Sequence, residues 1–307
     1  MKILSVNISG KKGTIKEPVN SIRLTDTGIE GDAHAGKWQR QVSLLGIESI
    51  KKFEKEAGRK IKFGEFAENI TTEGQLLFNT HPLDRFIAED TILEVTQIGK
   101  ACHGDSCAIY REVGNCVMPR EGIFCRVINP GKLAAEDILE YKPKVFRTLV
   151  ITLSDRASEG IYEDRSGPRI NEMLARYFIE TGWQHSIENA IIPDNADKLK
   201  ELLNTAINAK TDIVFTTGGT GIGDRDITPE TVRSVMDIEI PGIMEMIRMK
   251  YGMDKPNALL SRSIAARAGK TLIFSLPGSV KAVNEYVAEI TKGLKHMIYM
   301  MHGLDAH

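Results

Sequence analysis

Residues 212–230 read Asp212-Ile-Val-Phe-Thr-Thr-Gly-Gly-Thr-Gly-Ile-Gly-Asp-Arg-Asp-Ile-Thr-Pro-Glu230. The Ile-Val-Phe run predicts a strand buried on both faces. It feeds Thr216, Thr217, Gly218, Gly219, Thr220 and Gly221. A new helix then starts, with Thr228 as its N-cap, Pro229 in the first turn and Glu230 just after it. Glycines at the carboxyl end of a strand let backbone N–H groups approach a phosphate with no side chain in the way. The threonine hydroxyls add donors, and Asp224 and Asp226, flanking Arg225, can hold a divalent cation against the same phosphates. The competing reading is an ordinary strand-to-helix turn with solvated acids. Strand, glycines, threonines, paired acids and capped helix in this order favour the phosphate site.

Working outward, strands and helices alternate. Thr148–Leu153 predicts a strand, and 168–181 a helix with Ile170, Met173, Leu174, Tyr177 and Phe178 on one face. A strand at Ser186–Ile192 and a helix over 195–209 follow. After the strand of the glycine loop come helices near 229–236 and 242–250, a strand at 270–275, and a terminal helix along Val280, Val283, Val287, Ile290 and Leu294. This order predicts an α/β layered domain over 148–307, with a mainly parallel sheet and helical crossovers.

The first half has another grammar. Short strand candidates at 2–9, 21–24, 91–98 and 122–127 are separated by Gly, Asp and Asn clusters, with one helix at 46–57 presenting Ile47, Ile50 and Phe53. A mostly-β, barrel-like domain over 1–142 is expected, its last short strand at 137–140. Residues 143–147 form the linker, where Pro143 favours extended backbone before it. The 307 residues, with 42% hydrophobic and 26% charged, suit two packed domains. A net charge of −1 shows no basic nucleic-acid footprint. No apolar run reaches the ~18 residues of a membrane span, and the polar start does not read as a signal peptide. Four cysteines are too few for a disulfide scaffold. The expectation is a cytoplasmic protein with no nucleic-acid or membrane partner.

Other loops join the glycine loop as site candidates. Ser154 and Asp155 end the first strand of the second half, where doubly wound sheets place ligands. Ser158, Ser166 and Gly167 run into a helix N-terminus, which reads either as an anion site or as simple capping. Pro277 and Gly278 belong to another strand-to-helix loop, from which Lys281 can reach a phosphate or face solvent. Met244, Met246 and Met249 sit at helical spacing and read as core or subunit-contact packing rather than a metal cluster. All four cysteines fall between Cys102 and Cys125. A zinc site from Cys102, His103, Cys107 and Cys116 lacks knuckle spacing. Cys125 reads as a buried strand residue, and Cys102, near Lys100 and His103, as a reactive thiol.

Residues from about 147 to 300 resemble the molybdopterin adenylyltransferase family. The carriers are 153–158, 162–168, 192–194, 216–221, 225–230, 239–242, 260–262 and 276–278. The resemblance implies transfer of AMP from ATP to the terminal phosphate of molybdopterin, releasing pyrophosphate. It places Asp226 and Asp194 as catalytic residues that coordinate Mg2+ and position the phosphates, with the loops above binding the substrates, and it implies a homotrimer. A carrier that binds the cofactor without turnover is the alternative. Residues 1–142 resemble a MOSC domain through 28–36, 41–43, 64–70, 95–102 and 121–127. That resemblance implies a β-rich barrel-like fold and a functional Cys102 that handles sulfur or ligates molybdenum, with Asp32, His34, Glu68 and Asn69 lining the cleft. His34 as a plain surface-turn residue is equally open. A molybdenum insertion protein and molybdoenzymes would be the protein partners.

Overall fold

In the computed structural model, which describes residues 1–100 and 116–304, the chain divides into the units Met1–Lys144 and Val145–His307. The first unit contains β1 (Lys2–Ile8), β2 (Glu17–Val19), β3 (Ser21–Thr25), β4 (Gly28–Ile29) and β5 (Val42–Gly46). Helix α1 (Ile47–Ala57) comes next, then β6 (Ile70–Glu73), β7 (Arg85–Ala88), β8 (Thr91–Ile98), β9 (Ile123–Asn129), β10 (Gly131–Ala134) and β11 (Glu140–Lys142). Eight strands form one sheet in the order β11-β7-β8-β9-β5-β6-β1-β2, and β10-β3-β4 form a second. All pairs in the larger sheet are antiparallel except β5 with β6.

The barrel expected from the sequence is not closed. The large sheet is open, with β11 and β2 at its edges. Strand β2 is three residues long and carries Pro18, whose missing N–H suits an edge. Alternating residues such as Ile3, Leu44, Ile70, Phe86, Leu93 and Ile123 build the core, and Leu45, Phe66 and Phe124 pack with α1 in a second cluster. Helix α1 buries Ser49, Ile50 and Phe53, while Ile47 is only half-buried. The last strand lies at Glu140–Lys142 rather than 137–140, where Ile138 makes only an isolated bridge to Lys2.

The second unit contains β12 (Val145–Leu153), β13 (Gln184–Ile192), β14 (Ile213–Thr217), β15 (Ile238–Glu239), β16 (Ala265–Ala268) and β17 (Thr271–Leu276). Its helices are α2 (Asp155–Ser158), α3 (Ser166–Thr181), α4 (Ala196–Asn208), α5 (Thr228–Arg233), α6 (Pro241–Gly252) and α7 (Val280–Met301). The sheet order is β13-β12-β14-β17-β16-β15. Its first four strands are parallel, and β16 and β15 add an antiparallel margin. Every residue of β14 is buried, as the apolar run predicts. Strand β12 starts three residues before the expected Thr148, because Val145, Phe146 and Arg147 continue its pairing with β13. On α6, Met244 is buried, whereas Met246 and Met249 are exposed. Among the described residues, no helix is long and apolar enough to cross a membrane.

Parallel pairing has one consequence for function. The loops after β12, β13, β14 and β17 all leave the same carboxyl edge of the sheet. At the other end of β12, Phe146 is 1% exposed, with its ring 4.3 Å from that of Trp183 and 6.0 Å from that of Phe178. Truncation there leaves a void that the surrounding rings cannot fill. Phe146→Ala should therefore cost the second unit about 3–5 kcal/mol, measured by denaturant unfolding followed by circular dichroism; a loss below about 1 kcal/mol would contradict this packing account.

Candidate functional site

The glycine loop is shaped by close backbone approach. Gly218 and Gly219 adopt positive φ, +104° and +63°. A Cβ on Gly218 would lie 2.3 Å from the Leu153 carbonyl oxygen, and one on Gly221 would lie 2.7 Å from Asp226 Oδ2. The Gly218 N–H donates to the Leu276 carbonyl (3.0 Å), and the Thr217 hydroxyl donates to the Pro277 carbonyl (3.0 Å). Thr228 does not act as the expected N-cap. Helix α5 begins at Thr228 itself without a side-chain cap, and the Thr228 hydroxyl donates back to the Gly218 carbonyl at 2.9 Å. The loop thus gains a closing bond at the expense of a helix cap. Within the described protein, the N–H groups of Gly219, Thr220, Gly221 and Ile222 donate to no acceptor.

A cavity of about 450 Å³ opens over this loop, lined by 218–221, Asp226, Pro277, Gly278 and Lys281. The sequence reading missed Lys255, Asn257, Ser261 and Tyr286, which also line it. Lys255 and Asn257 flank Pro256, where a short 3-10 turn (Pro256–Leu260) begins, and their residue types carried no distinguishing signal. A larger groove of about 890 Å³ runs along β3 and β10 in the first unit. It is faced by Arg23, Asp26, Glu30 and Lys132, mixed charges with no shared chemical direction.

Asp155, Asp194 and Arg225 join Asp226 beside the loop. Asp155 accepts the Asp194 N–H (3.0 Å) on one oxygen and Arg225 Nη1 (2.9 Å) on the other. Burial, then the like charge of Asp155, raises the Asp194 carboxyl above its ordinary value, and Asp226 adds to the shift. Asp226 accepts the Gly223 N–H at 2.8 Å, and Asp224 is exposed. Among the described residues, no three His, Cys, Asp or Glu side chains converge closely enough to hold a metal ion. One or two carboxylates suffice for Mg2+ when substrate phosphates and water complete its shell. The donor set fits that mode of binding.

The start of α3 matches neither reading of Ser166. Asp164 takes the N–H groups of Ser166 (2.9 Å) and Gly167 (3.1 Å), as well as the Thr152 hydroxyl (2.7 Å). The protein's own carboxylate therefore occupies the favourable end of the helix. The Ser166 hydroxyl donates to the Gly278 carbonyl (2.7 Å), so it supports the loop from behind. Ser154 caps α2 by accepting the Ala157 N–H at 3.2 Å.

In the first unit, Asp32 and Lys16 form a buried ion pair. Asp32 also accepts the His34 N–H (2.9 Å), the Asn69 amide (3.0 Å) and the Ser9 N–H (3.1 Å). Burial opposes the charge of Asp32, but hydrogen bonds from His34 and Lys16 hold its carboxyl well below the usual range. His34 Nδ1 lies 3.3 Å from Asp32 Oδ1, so this histidine belongs to the cluster rather than to a plain surface turn. Lys16 was not foreseen, since an isolated lysine in a polar segment carries no sequence signal. Glu68 lies close enough to Lys16 for its charge to act on it. Its carboxylate turns to the Gly64 N–H (2.6 Å), the Phe66 N–H (3.1 Å) and the Thr71 hydroxyl (3.0 Å). Cys102, His103 and Cys107 lie outside the described residues. Cys116 is half-buried, and Cys125 is fully buried, which pushes its thiol up.

Burial raises Glu68 from 4.5 to about 7. The folded state therefore holds a proton that the unfolded chain releases. The resulting stabilisation is complete below the unfolded value and is lost as pH rises through the folded one, by about 3 kcal/mol at most. Thermal unfolding of the first unit should show a falling Tm between pH 4.5 and pH 7, and Glu68→Gln should flatten that slope. A slope unchanged in the variant would assign it to other groups.

Residues 149–296 match the family described as "Probable molybdopterin binding domain", and residues 31–140 match the MOSC domain. The molybdopterin adenylyltransferase of Helicobacter pylori is 37% identical over 155 residues, spanning 50% of this chain and 86% of that protein. Its namesake from Escherichia coli K12 is 32% identical over 158 residues, spanning 51% of this chain and 78% of that protein. A solved molybdopterin biosynthesis protein from Mycobacterium abscessus aligns with 52% of this chain and 99% of its own, at 32% identity and a TM-score of 0.48. Through its second unit the chain belongs to the molybdopterin adenylyltransferase family, and its first unit carries a MOSC domain.

Proposed function

We propose that the second unit transfers AMP from ATP to the terminal phosphate of molybdopterin in molybdenum cofactor biosynthesis. A phosphate oxygen of the pterin attacks the α-phosphorus of ATP, the bond to the β-phosphate breaks, and pyrophosphate leaves. The attacking monoester is already anionic, so the protein's task is alignment and charge neutralisation rather than strong base catalysis. The observation that carries this reading is the set of uncommitted N–H groups at 219–222, adjoining three carboxylates on one sheet edge. Those N–H groups receive phosphate oxygens, and Lys281, at the rim of the cavity, supplies positive charge. Asp194 and Asp226 would hold Mg2+, which when bound offsets phosphate charge. Asp155, tied to Asp194 and Arg225, orients that pair.

For the first unit we propose sulfur handling or binding of the molybdenum cofactor, with Cys102 as its thiolate and the Lys16–Asp32–His34 cluster within the same domain. A homotrimer built on apolar faces such as that of exposed Met246 and Met249 completes the proposed assembly.

The test is to incubate the full chain with molybdopterin, ATP and Mg2+, measuring pyrophosphate and identifying the pterin product by mass spectrometry. Adenylylated pterin is expected, and Asp226→Asn should lower the rate about a hundredfold or more. Pterin binding without pyrophosphate release would replace this reading with that of a carrier.

A further inference from the structure

The glycine loop is held from behind by one residue outside it, through both its main chain and its side chain. The Arg262 N–H donates to the Thr220 carbonyl at 2.8 Å. Its Nε donates to the Gly221 carbonyl at 2.6 Å, and its Nη2 to the Asp226 carbonyl at 2.6 Å. The remaining arm, Nη1, pairs with Glu230. A single guanidinium therefore joins both ends of the 221–226 segment and ties them to the first turn of α5. Ser261 lines the cavity, but Arg262 does not.

Peptide geometry turns this clamp into a functional device. The C=O and N–H of one trans peptide point in opposite directions. The guanidinium fixes the Gly221 carbonyl and so turns the Ile222 N–H the other way, while the Arg262 main-chain N–H does the same for the Thr220 carbonyl and the Gly221 N–H. Those two N–H groups have no acceptor within the described protein. Without the clamp, glycine-rich backbone in this segment has many alternatives.

We infer that Arg262 is a positioning residue that pre-aims the loop N–H groups at phosphate oxygens and fixes the backbone of Asp226. The inference rests on the proposed phosphate site but adds a residue that touches no substrate. Lysine is a poor replacement, since an ammonium on a flexible stem lacks the planar fork that spans two carbonyls.

Pyrophosphate binding to the full chain, measured by titration calorimetry with Mg2+ present, tests the inference without turnover. Arg262→Ala and Arg262→Lys should each weaken binding about tenfold or more, the scale of lost charged hydrogen bonds. Added methylguanidinium should recover most of the affinity in Arg262→Ala, as a general loss of packing would not. Arg262→Gln supplies the comparison if the alanine variant does not fold, with the same weakening expected. Binding as tight as wild type in the lysine and glutamine variants overturns the role of Arg262 alone. Wild-type protein that binds no pyrophosphate overturns the phosphate-site reading, and this inference with it.

Discussion

The contact on which the second unit's site depends is backbone against backbone at Gly218. Its Cα side faces the Leu153 carbonyl so closely that a methyl group would sit 2.3 Å from that oxygen. On its other flank, a Cβ on Gly278 would lie 3.4 Å from the Gly218 Cα. Three strand ends, those of β12, β14 and β17, therefore meet with almost no side chain between them. Any residue with a Cβ at Gly218 would push the β14 loop off the β12 end and add the strain of positive φ. The sheet edge itself forms the floor of the site.

That arrangement explains what was legible in the sequence and what was not. Val214 and Phe215 are both fully buried, and a continuous apolar run followed by glycines announces such a strand end. The periodicity of Ile170, Leu174 and Phe178 likewise marked the buried face of α3. The hydroxyl partners were illegible, because Ser166 and Thr228 each chose a distant carbonyl over the local cap. Local rules describe the bonds a hydroxyl can make alone, whereas here the tertiary loop contacts compete for the same proton. Nothing local in the sequence marks the task of Arg262, since its partners lie some forty residues away.

In the first unit the limits have a different cause. A barrel and an open sheet share the same alternation of inward and outward residues, so strands such as β8 were read correctly while closure was not. The short strands β6, β7 and β10, four residues each, give too few alternations to stand out. The Lys16–Asp32 pair belongs to a class that composition never reveals. A buried ion pair is costly to desolvate, and here Asp32 also draws hydrogen bonds from Ser9, His34 and Asn69. The chain concentrates that much polar satisfaction around one carboxylate, while the neighbouring Glu68 is spent on closing its own turn.

The acids of the second unit show the opposite economy. Asp194 is half-buried near Asp155 and Asp226, and its carboxyl is raised rather than lowered. A cation already present, Arg225, is 81% exposed, and its guanidinium pairs with Asp155. An ion pair so open to water contributes about 0–1 kcal/mol, too little to offset like charges crowded at the edge of a sheet. The protein thus keeps a local excess of negative charge beside a loop whose N–H groups are an excess of positive dipole. Among the described residues, Arg225 relieves the acids only in part, and the N–H groups at 219–222 meet no acceptor. A ligand carrying anionic oxygens for the loop, together with a divalent cation for the acids, would relieve both at once. A simple anion would aggravate the carboxylates, and a bare cation would leave the N–H groups unmet. Under the proposed reading, this is why the nucleotide and its metal ion are selected as a pair.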